Sequence, residues 1–565
     1  MSMSTHFRTL AELGEKLAAT TKRSLMIDLV AAFLKSVEPK ETEAAANMLL
    51  GRPFPKWDQR TLEVSWAILS DIIRRITGVD WKVFGEAFSK TGDIGDATMI
   101  VFETSKIKRQ VSLFERVLTI GEVRRSFEAI AETAGSGSRE KKERLMQALL
   151  SQASPLEAKY LVKIFIGDMR TGFHEGLLEQ TVSKMFEIPL QAVQEASMVL
   201  GDVGTVASIV KTEGMKGLGK VGFKVFRPVS LMLAQVADDV EDALKEHGGK
   251  TAFEFKYDGA RVQIHKSNGG VKIFSRRLTD VTESLPEIVE MAEKIPAREV
   301  ILEGEVVAVD RQGFPIPFQH LMRRFRRVHG IPDAAEKIPL KLYLFDIIYL
   351  NEKNLISLSY EQRREALASA VGDLPLTSQL VTDNVGKAES FLKQAMSIGH
   401  EGLMAKRLDS PYTPGTRGKR WLKIKPILEP LDLVIVAAEW GYGRRHDWLS
   451  DYYLAARDAE TGRFQPVGKT FKGLTDAEII DITKRLKELI VETEPRRVVV
   501  VPKIVVEVAY NEIQRSPKYE CQMALRFARI TRIRDDKTPE EASTIQQIRE
   551  IYERQLQKKG RYTTE

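Results

Sequence analysis

Apolar residues recur every three to four positions through residues 1 to 225, and that spacing predicts helices. A start signal lies in "SPLEAKYLVKIFI": Ser154 can cap, Pro155 suits the first helical position, and Glu157 can close a capping box. The loop in "AGSGSREKKERL" precedes Lys141, Lys142 and Arg144, which offer either a solvated face or, with the loop amides, a phosphate site. Around 214–227, "GMKGLGKVGFKVFR" is glycine-rich and basic, is followed by Pro228, and reads as a linker. Past it the period drops to two. "TAFEFKYDGARVQIHK", "GGVKIFSRR", "EVILEGEVVAVD" and "LKLYLFDIIYL" predict strands, with helices over 359–371 and 386–398 between them. After "WLKIKPILEP", short strands such as "LDLVIVAAEW" and "RVVVVPKIVVEVAY" dominate, interrupted by a helix near 475–490, and a small β-barrel is the natural reading. The pattern therefore predicts a multidomain chain: all-α over 1–225, α+β over 226–426, and a barrel over 427–565.

Length agrees, because 565 residues exceed one core and suit about three domains of roughly 100 to 200 residues. An excess of 85 basic over 78 acidic residues leaves a charge of +7, which leans toward a polyanionic partner without requiring one. The single cysteine, Cys521, excludes an internal disulfide and a four-cysteine zinc module, and it fits a reducing, intracellular setting. No apolar run approaches the ~18 residues of a bilayer span, and the first residues lack an apolar signal core. The expectation is a protein that is neither secreted nor held in a membrane.

Charge placement in the middle region changes the picture. Within "FEFKYDGARVQIHK", residues 253–266, alternation puts Glu254, Lys256 and Asp258 on one face and Phe253, Phe255 and Tyr257 on the other. Asp258 and Gly259 predict a tight turn, hence a hairpin into a second strand where Val262 and Ile264 alternate with Arg261, Gln263 and His265. Lys423 and Lys425 alternate with Leu422 and Ile424, and Glu303 and Glu305 share a face. One polar strand face is ordinary. Several in one region suit a cleft that holds a phosphate and a metal ion.

These residues also carry a resemblance. "KYDGAR" matches the lysine-x-aspartate-glycine signature of the covalent nucleotidyltransferases, in the form found in ATP-dependent DNA ligases. "IFSRR", "LEGEVVAV", "LYLFDIIYL", "EGLMAK" and "WLKIK" follow in the order of that family's later motifs. "ALRFARITRIRDDK" resembles its arginine-rich C-terminal motif, with Ala528, Ile530 and Asp535 as departures and Arg526, Arg529, Arg532, Arg534, Asp536 and Lys537 kept. "GDMRTGFHEGLLEQTV" and "GDVGTVAS" look like segments of the helical DNA-binding domain of archaeal and eukaryotic replicative ligases. The resemblance covers nearly the whole chain.

It implies a helical DNA-binding domain, an adenylation (nucleotidyltransferase) domain and a C-terminal OB-fold barrel. It implies ATP as cosubstrate, Mg²⁺ or Mn²⁺ as cofactor, nicked duplex DNA as partner, and action as a monomer. Lys256 would be the nucleophile that takes AMP from ATP, passes it to a 5′-phosphate and so prepares attack by the 3′-hydroxyl. An amine of pKa ~10.4 must be deprotonated by its surroundings for that role. Arg261, Arg276, Arg417, Lys423 and Lys425 match positions that contact the nucleotide or its phosphates. Glu254 matches the residue that reads the adenine edge, Phe345 the aromatic stacked on the base, and Glu305 and Glu401 the ribose-binding or metal-binding acids. "GYGRR", 441–445, is either a DNA-contacting loop or an exposed turn, and Gln110, Leu113 and Phe114 either resemble part of a sliding-clamp-binding segment, without its usual second aromatic, or are helix-packing residues.

Two other readings share features with this one. An RNA ligase or capping enzyme uses the same lysine, but the long helical region and the complete terminal motif stand against it. A noncatalytic nick-binding protein would not need Lys256, Glu305, Lys423 and Lys425 together.

Overall fold

The computed structural model describes residues 4–105, 117–325, 330–415, 417–425, 428–442 and 445–557. Gln110, Leu113 and Phe114, on which the clamp expectation falls, lie outside the described residues, as does part of 441–445.

Helices run from Phe7–Ala18 to Val203–Leu218, as the apolar spacing predicts. Pro155–Ile166 is buried among them. Its capping box forms as expected, with Glu157 N donating to Ser154 Oγ at 3.3 Å and Ser154 N donating to Glu157 Oε2 at 2.8 Å. Even its lysines are buried, so each has acid partners: Lys159 has Glu15 at 2.5 Å and Asp96 at 2.6 Å, and Lys163 has Asp93 at 2.6 Å. Lys142 is also turned inward, 2.5 Å from Glu63, which removes it from any exposed phosphate site.

The 214–227 segment is a linker only in part. Its start completes Val203–Leu218 across a break at Gly214 (φ 62°, ψ −151°), and the chain that follows is docked. Phe226 N donates to His265 Nδ1 at 3.0 Å. Gln263 accepts from Val229 N at 2.8 Å and donates to Val229 O at 3.2 Å. Glycine content signals freedom, but these side chains supply the partners that buried backbone needs.

The middle region holds two five-stranded sheets. One has the order β1 (Leu233–Val236), β10 (Arg417–Ile424), β9 (Gly402–Arg407), β2 (Thr251–Lys256) and β8 (Gln379–Thr382). The other has β4 (Gly270–Ser275), β3 (Ala260–Ser267), β5 (Val300–Ala308), β6 (Leu340–Leu350) and β7 (Lys353–Asn354). The expected hairpin is absent, because β2 and β3 belong to different sheets and residues 257–259 carry the chain across. Neither Asp258 nor Gly259 has the positive φ that a two-residue hairpin turn requires. Crowding selects the glycine instead: a Cβ there would lie 2.4 Å from Val306 O. The alternation survives the correction. Phe253, Phe255 and Tyr257 pack with Leu244, Ala388 and Leu403, while Glu254 and Lys256 face the opposite side. Helices Tyr360–Ala370 and Val385–Ser397 fall where 359–371 and 386–398 predict them.

Beyond Leu431 the chain is β-rich. β11 (Leu431–Trp440) pairs on one side with β12 (Leu449–Arg457) and on the other with β16 (Val505–Ala509) and then β15 (Arg497–Val500). β13 (Phe464–Thr470), β14 (Ile490–Thr493) and β19 (Arg529–Ile533) extend this sheet, and β17 (Glu512–Arg515) with β18 (Met523–Arg526) forms a separate pair. Leu433, Ile435, Leu454, Val467 and Val506 are part of its core. Helix Asp476–Lys487 is the expected interruption. A second helix, Ile545–Gln557, adds to the expected elements, and its signal is the Thr544 and Gln547 capping pair, bonded at 3.2 and 2.8 Å. β18 reaches the middle region, where the Arg526 guanidinium lies 4.6 Å over Phe318.

Candidate active site

Antiparallel pairing sets Glu254 of β2 opposite Met404 of β9, and Lys256 opposite Gly402. Side chains two apart share a face, so Glu254, Lys256, Met404 and Lys406 line one cavity of about 780 Å³. β10 pairs with the other side of β9. Its alternation sends Trp421, Lys423 and, just past its end, Lys425 into the same cavity, while Leu422 and Ile424 enter the core. Arg261, Arg276, Glu305 and Phe345 line it from the second sheet, and Glu401 and Arg417 join them. The ten residues matched to nucleophile, nucleotide or metal roles therefore meet in one place.

Lys256 forms an ion pair with Glu401, whose Oε2 also receives Lys425 Nζ at 2.6 Å. Burial alone pushes the Glu401 carboxyl up, but Lys256 and Lys425 outweigh it and hold it down at about 2. Burial alone would lower Lys256. Glu401, Glu305 and Asp258 reverse that sign and raise it. Without a nucleotide, the acids around the amine therefore favour its charged form. Glu305 is pushed up to about 7 by burial, against the pull of Lys256 and Arg261.

Cations gather beside this pair. Lys423 is lowered by burial first and then by Arg417, Lys425, Lys256 and Arg276. Such crowding is relieved by an anion. Arg261 stands apart from that cluster: it donates to Glu303 Oε2 and Met232 O, both at 2.7 Å, and lies 5.3 Å from the Phe345 ring. Its Nε is buried without a hydrogen-bond partner. Glu303 is fully buried and also accepts from Tyr412 OH at 2.7 Å, so it serves Arg261 while Glu305 serves the Lys256 side.

At the far end of the cavity, Glu254 is buried against residues that the sequence reading did not single out. Lys406 Nζ lies 2.6 Å from its Oε2, and Tyr360 OH donates to its Oε1. Lys406 Nζ also donates to Phe345 O at 3.2 Å and sits 4.7 Å from that ring. Period-two spacing from Gly402 would have found Lys406, because "GLMAKR" puts 402, 404 and 406 on one face. Asn511, Arg526 and Phe527 of the C-terminal region close one side of the cavity. Of the arginine-rich motif, Arg534 and Lys537 instead pair with Asp432, at 3.0 and 2.6 Å.

The description "ATP dependent DNA ligase domain" matches residues 231–425, "DNA ligase N terminus" matches 6–182, and "ATP dependent DNA ligase C terminal region" matches 445–537. The chain belongs to the ATP-dependent DNA ligase family. It is similar to the "DNA ligase 1" of Korarchaeum cryptofilum, 46% identical over 98% of this chain and 99% of that one. The "DNA ligase" of Thermococcus onnurineus is 44% identical over 97% of this chain and 98% of its own length. A solved structure described as "Pmar-Lig_Pre." shares the fold, with a TM-score of 0.58 over 93% of this chain and 99% of that one at 18% identity. The family's substrates are ATP and DNA. Among the described residues no helix is long and apolar enough to cross a membrane.

Proposed function

We propose that this chain seals nicks in duplex DNA through a lysyl-AMP intermediate on Lys256. The observation that carries the reading is the seat of Lys256, between Glu401 and Glu305 and beside the cluster of Arg276, Arg417, Lys423 and Lys425. Lys256 Nζ attacks the α-phosphorus of ATP; a nitrogen–phosphorus bond forms and the bond to pyrophosphate breaks. The cation cluster takes the charge that builds on the phosphoryl oxygens. Arg526, at the cavity wall, orients the departing pyrophosphate. AMP then passes to the 5′-phosphate of the nick, and the 3′-hydroxyl displaces it. At the base end Phe345 stacks on adenine, and Glu254, held by Lys406 and Tyr360, accepts from the exocyclic amine.

Glu305 and Glu401 are the residues that would hold a divalent cation, Mg²⁺ or Mn²⁺. Among the described residues no three acidic, histidine or cysteine side chains form a cage of their own, and two carboxylates plus a nucleotide are a donor set that Mg²⁺ accepts. When bound, the ion neutralises phosphate charge. Lys256 becomes nucleophilic when Glu401 is drawn from it, because burial then lowers its pKa with less opposition. The working units are 1–225, 226–426 and an OB-fold unit over 427–565, acting as a monomer inside the cell. Gln110, Leu113 and Phe114 offer a sliding clamp its contact.

Intact mass after incubation with Mg²⁺ and ATP, followed by nicked duplex DNA, tests the reading. It expects a gain of one AMP that disappears as the nick is sealed. Discharge onto RNA ends instead would make the chain an RNA ligase, and no gain at all would leave a binding protein.

A further inference from the structure

We propose that Gln59, in the helical region, is a positioning residue for the phosphate end of the cavity. The inference rests on the phosphate role proposed above for Arg276.

Between helices Thr42–Leu49 and Trp66–Thr77 the chain crosses residues 51–65 without a helix or strand, and part of that stretch lies against the middle region. Lys56 Nζ reaches Ser230 Oγ at 3.3 Å, and the Arg227 guanidinium sits 4.0 Å over the Trp57 ring. Gln59 then grips the turn that follows β4. Its Nε2 donates to Leu278 O at 2.9 Å, and its Oε1 accepts from Asp280 N at 2.8 Å. One amide that gives and takes a backbone bond, two residues apart, imitates a strand partner and fixes the turn in both place and tilt.

That turn is one whose shape needs holding. Leu278 sits at φ 62°, a conformation that side chains with a Cβ rarely adopt. Leu278 N donates to Ser275 O and Ser275 N to Thr279 O, each at 2.8 Å, which closes the turn on β4; Gln59 ties it to a separate element. The same turn carries Arg276 into the cavity, near enough to Lys423 to be among the charges that crowd it. A loosened turn would move that guanidinium away from the phosphate. Docking of the helical region is thus registered where the triphosphate binds, although none of its described residues lines the cavity.

The test uses the full chain with Gln59→Met, which keeps side-chain length and removes both bonds to the turn along with a local 3.2 Å bond from Nε2 to Trp57 O, with Arg276→Ala, and with the two combined. The readouts are the single-turnover rate of AMP loading at sub-saturating ATP and the melting temperature. Gln59→Met is expected to slow loading by about three- to tenfold without a shift in melting temperature. In the Arg276→Ala background it is expected to add nothing. A parental rate in Gln59→Met, or the same drop in both backgrounds, overturns the role of Gln59 and leaves that of Arg276 standing. Arg276→Ala loading AMP at the parental rate overturns both.

Discussion

Two lysine–glutamate pairs lie side by side across β2 and β9, and they are held in opposite ways. Lys406 and Glu254 are each about 2% exposed in their side chains, and Tyr360 and the largely buried Arg364, at 3.4 Å, add further contacts to the carboxylate. Lys256 and Glu401 are 21% and 25% exposed, and Glu401 divides itself between two lysines. A dry pair with its valences filled has no cheap way to come apart. A shared, half-open pair can release one partner when another cation arrives. The same two side chains thus make a fixture at the base end and an exchangeable contact at the phosphate end.

The sharpest way to break this contrast is at Lys256. Lys256→Ala is expected to reduce AMP loading by about 10⁴-fold or more, with stability little changed, as read by intact mass and urea denaturation. Lys406→Met should do the reverse in kind. It leaves the buried carboxylate with only Arg364, at 3.4 Å, to balance its charge and is expected to cost about 3 kcal/mol of stability by urea denaturation, and Glu254→Gln in the same chain should restore much of that. A Lys406→Met protein as stable as its parent would end the comparison. Lys425→Ala is expected to slow nick sealing by about 100-fold while leaving the melting temperature near parental.

The smallest effect is in pH dependence. Glu305 is at about 7 in the folded chain against an ordinary value of 4.5, so the folded state holds the extra proton and stability falls as pH rises through that window. Glu305→Gln should then be more stable than the parent by about 1–3 kcal/mol above pH ~7, with the gap closing below pH ~4.5. Glu401, held at about 2, has the opposite sign: its contribution is present above 4.5 and is lost as pH falls toward 2. Denaturant titrations across that range would separate the two.

Strand alternation made much of this legible. Period two assigned Glu254 and Lys256 to one face, and Lys423 and Lys425 to another, and all four line the cavity. What alternation lacks is the identity of the neighbouring strand. Asp258 and Gly259 therefore suggested a hairpin where the chain changes sheets, and Lys406 and Tyr360, which arrive from distant segments, had no local signal that tied them to Glu254. The partner of Lys256 was hidden for the same reason, since Glu401 lies 145 residues away in the chain. Gln59 was invisible because a polar residue in an irregular stretch looks like any solvated loop position.

The crossing between the sheets separates what selection must preserve in "KYDG". At Gly259 any side chain would collide with the Val306 carbonyl, and at Gly402 a Cβ would fall 2.2 Å from Ile424 O. In a library of all substitutions these two positions should be depleted under selection for folding alone, whereas Lys256 should be depleted only when ligation is demanded. A descendant that had abandoned its chemistry would therefore lose the lysine first and keep the glycine, so half of the signature would outlive the activity it advertises.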